Sequence, residues 1–553
     1  MTDDLVYRAG SRPEEGGYPG FAPETLEENG MLIEKDVAIT LRDGVVIYAN
    51  VFRPVGQDNL PTLIGWAPYG KHSPIQWDLY TDAGVDGSRI SRWTAFEGTD
   101  PTWWCPKGYA VVFPDIRGSW HSGGDLVVAS HQEALDACDV IEWAGTRPWS
   151  NGKVGLAGVS YLAWSQWYIA AMKPPRLAAI NPWEGVTDFY REFAFHGGIP
   201  DTNFLPAWQL VTSFSDHRVE DWPEMMKRHP LLDDYWRSKG ARDLSAIEVP
   251  AYVVASWSDH GLHSRGTLEG FRRISSDHKW LEVHGRKKWQ YFYEESSFAR
   301  QLAFFDRFLK DGVGHNEVDE WPQVRLEVRD RAYEGTFRAE QEWPLSRTRY
   351  TELYLDTTAG SLSDKPLETA SSKSYEATDD DGRLVFDHTF TEETELTGYA
   401  KLRLWLEIDE GSDADVFIGL EKLDANGNGV PFPFFSALND GVVALGWLRA
   451  SHRALDPARS MPFQPVHPHD KEVPMAPGRP EPLEIEIWPS STRWQPGETL
   501  RLIVQGSDLR KYETGTHTNR HDDRRNTGRH IVHGGGAYDS YLLVPVIPSP
   551  DGL

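Results

Sequence analysis

Three residues in this chain have the types, the order and the local settings of an acyl-transfer site. Ser160 lies in Gly158-Val159-Ser160-Tyr161-Leu162-Ala163, with an apolar run before it and a helix-like run, Tyr161–Met172, after it. A strand, a tight turn with a serine at its apex, and a helix make a nucleophile elbow, which pushes the hydroxyl clear of the backbone. Gly158 is small because strand and helix pass close together there. The plain G-x-S-x-G pattern is broken, since Leu162 holds the second glycine's place and Ala163 follows. Such a serine needs a base, a carboxylate to orient that base, and donors for the developing oxyanion. In the order serine, acid, histidine, Ser160 is followed by Asp259 and His284, each at the carboxyl end of a strand-like run. His284 is the first candidate for the base. His260 and His263, which follow Asp259 closely, are the alternatives.

These residues need a scaffold, and the chain supplies its pattern. Val37, Ile39 and Leu41 alternate with polar residues, Arg42-Asp43-Gly44 turns, and Val45–Phe52 returns as the second arm of a hairpin. Strand-like runs follow at Thr62–Trp66, Tyr109–Pro114, Val154–Ala157, Leu177–Asn181, Val249–Ser256 and Lys279–Val283. Between and after them stand helical rhythms at Gln132–Gly145, Tyr161–Met172, Arg265–Ile274 and Ser297–Lys310. Strand and helix in alternation build a parallel sheet, which binds ligands at the carboxyl ends of its strands. Tyr69, Asp115 and Ser160 all fall at such ends. Val186–Ala246 has no convincing strand run and reads as a helical insertion over the sheet. Beyond about residue 320 the period becomes two: Leu402, Leu404, Leu406 and Ile408 alternate with Lys401, Arg403, Trp405 and Glu407. The expected architecture is an α/β-hydrolase core (31–185 and 249–320) with a helical cap (186–248). A short arm (1–30) precedes it, and an all-β sandwich of jelly-roll type (321–553) follows it.

Composition narrows the function classes. With 553 residues the chain exceeds what one core normally uses. Its net charge of −27 argues against nucleic acid and anionic membrane surfaces as partners. No apolar run approaches the length of a membrane span, and the first residues are acidic and polar. Two cysteines, Cys105 and Cys138, form no disulfide framework, so a reducing cytoplasm is expected. No phosphate-binding loop or dinucleotide fingerprint is present, and no cofactor is expected. His260-x-x-His263 and His517-x-x-x-His521 have spacings that metals use, yet no supporting ligand set is visible, and they read as loop histidines. Asp424-x-Asn426-x-Asn428-Gly429 begins like a calcium loop, but Phe435 stands where a bidentate glutamate is required, so it reads as a hairpin turn.

Several stretches together resemble the cocaine esterase and X-Pro dipeptidyl-peptidase family of serine hydrolases. They are Ala67-Pro68-Tyr69, Gly108-Tyr109-Ala110-Val111-Val112, Asp115-Ile116-Arg117-Gly118, Glu142-Trp143, and Trp149-Ser150-Asn151-Gly152-Lys153-Val154-Gly155 running on into the elbow. Trp494-Gln495-Pro496-Gly497 and Tyr538-Asp539-Ser540-Tyr541-Leu542 extend the match into the C-terminal part. The resemblance implies the same architecture: hydrolase core, inserted helical cap and C-terminal jelly roll. It also implies that the Tyr69 hydroxyl joins the backbone N–H of Tyr161 in holding the oxyanion. The family elbow ends in glycine where Ala163 stands, a change of one methyl group expected to be tolerated. The family also carries Gly-Pro-Trp-x-His after the last strand, with the base at its end. Here the stretch is His284-Gly285-Arg286-Lys287-Lys288-Trp289, so Lys288 or Trp289 holds the base's place.

Two functions follow as expectations. One is a serine hydrolase cleaving a small ester, amide or short peptide through an acyl-enzyme, with an aromatic acyl pocket including Trp183. The other is a binding or scaffold protein that kept the fold and lost its base. Oligomeric state is left open, a homo-oligomer included.

Overall fold

The computed structural model describes residues 4–18, 20–72, 77–513 and 518–548. Its N-terminal half is built on one twisted sheet. The strands, in chain order, are β1 (Glu24–Glu28), β2 (Met31–Thr40), β3 (Val46–Pro54), β4 (Leu60–Ile64), β5 (Ala110–Asp115), β6 (Ser150–Val159), β7 (Leu177–Trp183), β8 (Ala251–Ser256), β9 (Lys279–His284), β10 (Val324–Arg331) and β11 (Glu334–Glu340). In space they run β1-β2-β3-β5-β4-β6-β7-β8-β9-β10-β11. Strands β5 through β10 are mutually parallel, and the remaining neighbours pair antiparallel. β4, β5 and β8 are buried along their whole length, as a sheet covered on both faces requires. The sheet carries on past residue 320, because β10 pairs in parallel with β9 and β11 closes that edge.

Four helices matter for the site: α1 (His131–Gly145), α2 (Tyr161–Ala171), α3 (Ser264–Arg273) and α4 (Glu295–Leu309). α1 starts where the Ser130 hydroxyl accepts the Glu133 N–H at 3.1 Å, satisfying one of the orphan donors of a helix start. α2 is buried on nearly every side, which is why its sequence, YLAWSQWYIAA, shows no polar face. Between β7 and β8 the chain makes short elements rather than long helices. They include a hairpin of Phe195–His196 with Ile199–Pro200, a helix Phe204–Thr212, and a strand Arg218–Glu220. That last strand pairs with Tyr7–Ala9, so the N-terminal arm is tied to this insertion.

The C-terminal part is a separate body of long antiparallel strands. Thr394–Ile408 pairs with Glu481–Trp494, bringing Leu402 opposite Ile485 and Leu404 opposite Leu483. The alternation seen in the sequence is the alternation of its faces: Leu402, Leu404, Leu406 and Ile408 are fully buried in a core distinct from that of the hydrolase sheet. Each such side chain contributes about 1.5–3 kcal/mol through burial. The two bodies meet along β10, where Arg329 is buried. Its guanidinium donates to the Ser491 and Val443 carbonyls at 3.0 and 3.1 Å and covers the Phe432 ring.

Candidate active site

Ser160 occupies the turn between β6 and α2 with φ 58° and ψ −114°, a backbone state that costs a non-glycine residue energy and marks a site held in tension by its surroundings. Its N–H donates to the carbonyls of Trp183 and Glu184, both at 3.1 Å, which pins the turn against the next strand. Gly158 is required here: it has φ 137°, and a Cβ at that place would lie 2.6 Å from the Leu162 Cβ and 2.9 Å from the Glu97 carbonyl oxygen. The methyl of Ala163, where a glycine was expected, is accommodated from the other side. Gly185 faces it, and a Cβ added there would stand 2.9 Å from the Ala163 Cβ.

A helical turn brings a histidine to Ser160. The chain leaves β8 at Ser256 and coils through Asp259–His263, with the Leu262, His263 and Ser264 N–H groups all donating to the Asp259 carbonyl. Four residues apart on such a turn, Asp259 and His263 share a face. His263 Nδ1 lies 2.5 Å from Asp259 Oδ2, and its Nε2 lies 3.2 Å from Ser160 Oγ. Burial first, then the neighbouring Lys288 ammonium, push the His263 pKa down to about 4 against the pull of Asp259. Burial opposes ionisation of Asp259, but Lys288 and His263 outweigh it and hold the carboxyl below its ordinary range. Lys288 Nζ is 3.6 Å from Asp259 Oδ2 and 3.5 Å from His263 Nδ1.

The expectation for His284 is corrected by this geometry. His284 ends β9, one strand away, and its ring is buried behind the elbow. Nε2 lies 3.1 Å from Glu184 Oε1, Nδ1 accepts the Arg286 N–H at 3.1 Å, and the ring packs 4.1 Å from that of Tyr291. Nδ1 is bonded to the backbone, and Nε2 is turned to Glu184 rather than to Ser160. His260 has other partners too: Nε2 faces the Pro489 carbonyl at 3.1 Å, and Nδ1 accepts the Leu445 N–H at 3.1 Å. That ring joins the Asp259–His263 turn to the C-terminal body.

Trp183 is also corrected. Its side chain packs against Phe292, Tyr291 and Tyr252, on the side of His284 rather than toward Ser160. The aromatic rings set against the residues around the serine are Trp208, stacked on Tyr161 at 6.0 Å, and Trp164, 6.1 Å from His263. Ser160 is only 4% exposed.

Tyr69 packs beside the elbow. Its ring meets that of Tyr161 edge-on at 6.0 Å, and its oxygen accepts the Trp208 Nε1–H at 3.1 Å. Burial above all, with the nearby Glu97 carboxylate, holds the phenol far above its ordinary pKa, so it stays a donor. The loop bearing it is clamped by Lys71, buried between Asp36 at 2.9 Å and Asp115. Asp115 at its strand end therefore anchors the loop. Tyr161 is the first residue of α2, so its N–H has no intrahelical acceptor. Its side chain is fixed by donation to Glu133 Oε1 at 2.8 Å.

Sequence reasoning did not single out Glu97 as a site residue. It has φ 62°, accepts the Trp289 Nε1–H at 2.7 Å, and interacts with both Tyr69 and Ser160. Burial raises its pKa to about 7, with Lys288 opposing. Its only signal in the sequence was the pair Glu97-Gly98 in a loop. Lys288 and Trp289 had a clearer one, since they occupy the stretch where the family base was sought.

Comparison with known proteins agrees with this fold and site. The model of the X-Pro dipeptidyl-peptidase (S15 family) matches residues 43–221, and that of the X-Pro dipeptidyl-peptidase C-terminal non-catalytic domain matches residues 316–543. A solved CocE/NonD family hydrolase from Staphylococcus aureus is 38% identical, covers 98% of this chain and 99% of its own, and superposes with a TM-score of 0.92. The chain belongs to the CocE/NonD family of hydrolases. The cocaine esterase of Rhodococcus sp. (strain MB1 Bresler) is a more distant relative, 24% identical over 93% of this chain and 98% of that protein. An α-amino acid ester hydrolase of 18% identity and TM-score 0.71 shares the fold, covering 96% of this chain and 98% of its own. The chain is thus an enzyme, a hydrolase of ester or peptide bonds, with an α/β-hydrolase-like N-terminal part and a β-rich C-terminal part. Among the described residues no helix is long and apolar enough to cross a membrane.

Proposed function

We propose that the chain hydrolyses a carboxylic ester or amide through an acyl-enzyme on Ser160, with His263 as base, Asp259 as its orienting carboxylate, and Tyr69 and the Tyr161 N–H as oxyanion donors. The contact of 3.2 Å between Ser160 Oγ and His263 Nε2 carries this reading. His263 Nε2 takes the hydroxyl proton as Ser160 Oγ attacks the carbonyl carbon. The carbonyl oxygen gains the charge and turns toward the two donors. His263 then hands the proton to the leaving alcohol or amine. Water attacks the acyl-enzyme by the same route, and Ser160 recovers its proton. Asp259 keeps Nδ1 as the donor, so Nε2 carries the lone pair. The base that a non-catalytic scaffold would lack is supplied by His263.

The cap reading of residues 186–248 is supported by Trp208, which reaches from this insertion onto Tyr69 and Tyr161. The jelly-roll reading of the C-terminal part is supported by its facing antiparallel strands around one core. Since β10 and β11 extend the hydrolase sheet, that body is best divided from it after Glu340.

A fluorophosphonate probe tests the proposal. Stoichiometric labelling located on Ser160 by mass spectrometry, lost in H263A and kept in H284Q, is the expected result. Labelling that survives H263A but not H284Q would overturn the assignment of the base.

A further inference from the structure

About the turn that carries Asp259 and His263, a second set of histidines is assembled from parts of the chain far apart in sequence. His196 ends the first arm of the hairpin in the inserted segment, Asp201 follows its second arm, and His521 comes from the C-terminal body. All three side chains are buried, and one ligand atom of each lies within 4.8 Å of the other two. The outer nitrogen of each ring is already committed. His196 Nε2 lies 2.6 Å from the carbonyl oxygen of Gly261, and His521 Nδ1 lies 2.7 Å from Asp508 Oδ1. Those acceptors require N–H at both outer positions. His196 Nδ1 and His521 Nε2 are therefore left with their lone pairs turned toward each other, 2.8 Å apart.

Two lone pairs at that distance need something positive between them. One answer is a shared proton, which makes His521 an imidazolium. Burial opposes that charge, while Asp508 and Asp201 favour it. The other answer is a metal ion. Imidazole ligands to metals characteristically donate their outer N–H to a carboxylate or a backbone carbonyl, and here one ring has each. A third ligand of opposite charge is at hand in Asp201. Its Oδ1 accepts the Asn203 and Leu205 N–H groups at 3.1 and 3.0 Å, while its Oδ2 accepts Asn519 Nδ2 at 2.9 Å and the Arg520 N–H at only 3.3 Å. Release of that last, longest bond frees a lone pair. The Asn519 Oδ1 has no partner among the described residues and lies against Gly261. We infer that His196, His521 and Asp201 form a site for one divalent transition-metal ion of the zinc class, separate from the serine centre.

Two imidazoles and a carboxylate suit Zn2+ and Co2+, with bonds of about 2.0–2.2 Å. In tetrahedral geometry those bonds place ligand atoms about 3.3–3.4 Å apart, so the two ring nitrogens separate from 2.8 Å and Asp201 closes in on them as the ion binds. The ion would tie the inserted segment to the C-terminal body, and through Gly261 to the turn carrying Asp259 and His263. The sequence hid the site because its ligands are 5 and 320 residues apart. Only His521 stood in a metal-like spacing, and its companion there, His517, lies outside the described residues.

The full chain is stripped with a chelator, incubated with Zn2+ alone or Co2+ alone, and freed of unbound metal. One equivalent of retained Zn2+, X-ray absorption showing two imidazole ligands, and a rise in melting temperature are expected, because an ion that binds only the folded chain stabilises it. H196N and H521N should each lose the ion, and D508N, which removes only an outer partner, should bind about 10- to 100-fold more weakly. No retained metal in the wild-type chain overturns the inference and leaves the shared proton as the occupant. So does retained metal whose absorption spectrum shows no imidazole. The wild-type measurements decide the matter even if a variant fails to fold.

Discussion

The ends of two neighbouring strands, β8 and β9, invite comparison. Both finish at the carboxyl edge of the sheet, and both carry a histidine beside an acid. At the end of β9, His284 faces Glu184 in a closed pair behind the elbow. Beyond the end of β8, His263 faces Asp259 on one side and Ser160 on the other. Each pair is fully buried, so burial does not distinguish structural from reactive. What distinguishes them is where the outer nitrogen faces. His284 Nε2 is turned to Glu184, whereas His263 Nε2 points at Ser160 Oγ. Lys288 fills part of the space near Asp259 and His263.

The largest expected effects separate the two ends most sharply. S160A and H263A should each cut kcat by roughly a millionfold, as loss of a nucleophile or base does in a cooperating triad. H284Q should leave kcat within a few-fold, measured on the same aryl ester. Equal losses in H263A and H284Q would erase the contrast. Next comes D259N, expected to lower kcat by about ten-thousandfold because the amide permits the wrong His263 tautomer. Y69F follows, at about a hundred- to a thousandfold in kcat with little change in KM, the signature of a donor used mainly in the transition state.

The pH profile sharpens the comparison further. His263 acts only when neutral and its pKa is lowered to about 4, so kcat/KM should rise with pH through about 4 and not near the ordinary imidazole value. Removing the cation in K288M lets His263 hold its proton at higher pH, and this acid limb should move upward. A limb that stays in place would show that burial alone sets it. Glu97, raised to about 7, loses its proton above that pH and places a negative charge beside Tyr69 and Ser160, against the oxyanion. A decline through about 7 is therefore expected, and E97Q should abolish it. The smallest effect belongs to H284Q again, now as stability. Weakening a buried partner of Glu184 should cost about 1–3 kcal/mol in denaturant unfolding.

Much of this molecule was legible before folding. The alternation at Leu402–Ile408, the β-α rhythm around Ser160 and the Asp-Gly hairpin are local patterns, and local periodicity survives in the structure almost residue for residue. The elbow was readable even with Ala163 in place of glycine, although the compensating Gly185 could not be guessed, since it comes from a different strand end. His263 was legible only as an alternative. Chain order favours a histidine at a later strand end, and order carries no information about which ring nitrogen is left unbonded. Glu97 and the placing of Trp208 were not legible for the same reason: loops and short helices converge on the site from segments with no periodic signal of their own.

The sequence by itself determined the fold class and the serine at the elbow, together with the acid that follows it. Each depends on residues close in the chain or on a repeating hydrophobic period. Tertiary structure alone decided which histidine lies against Ser160, that His260 and His284 face other partners, and that His196 and His521 meet at all. Hydrogen-bond partners are set by distances in space between residues far apart in sequence, and a buried ring nitrogen can be used only once.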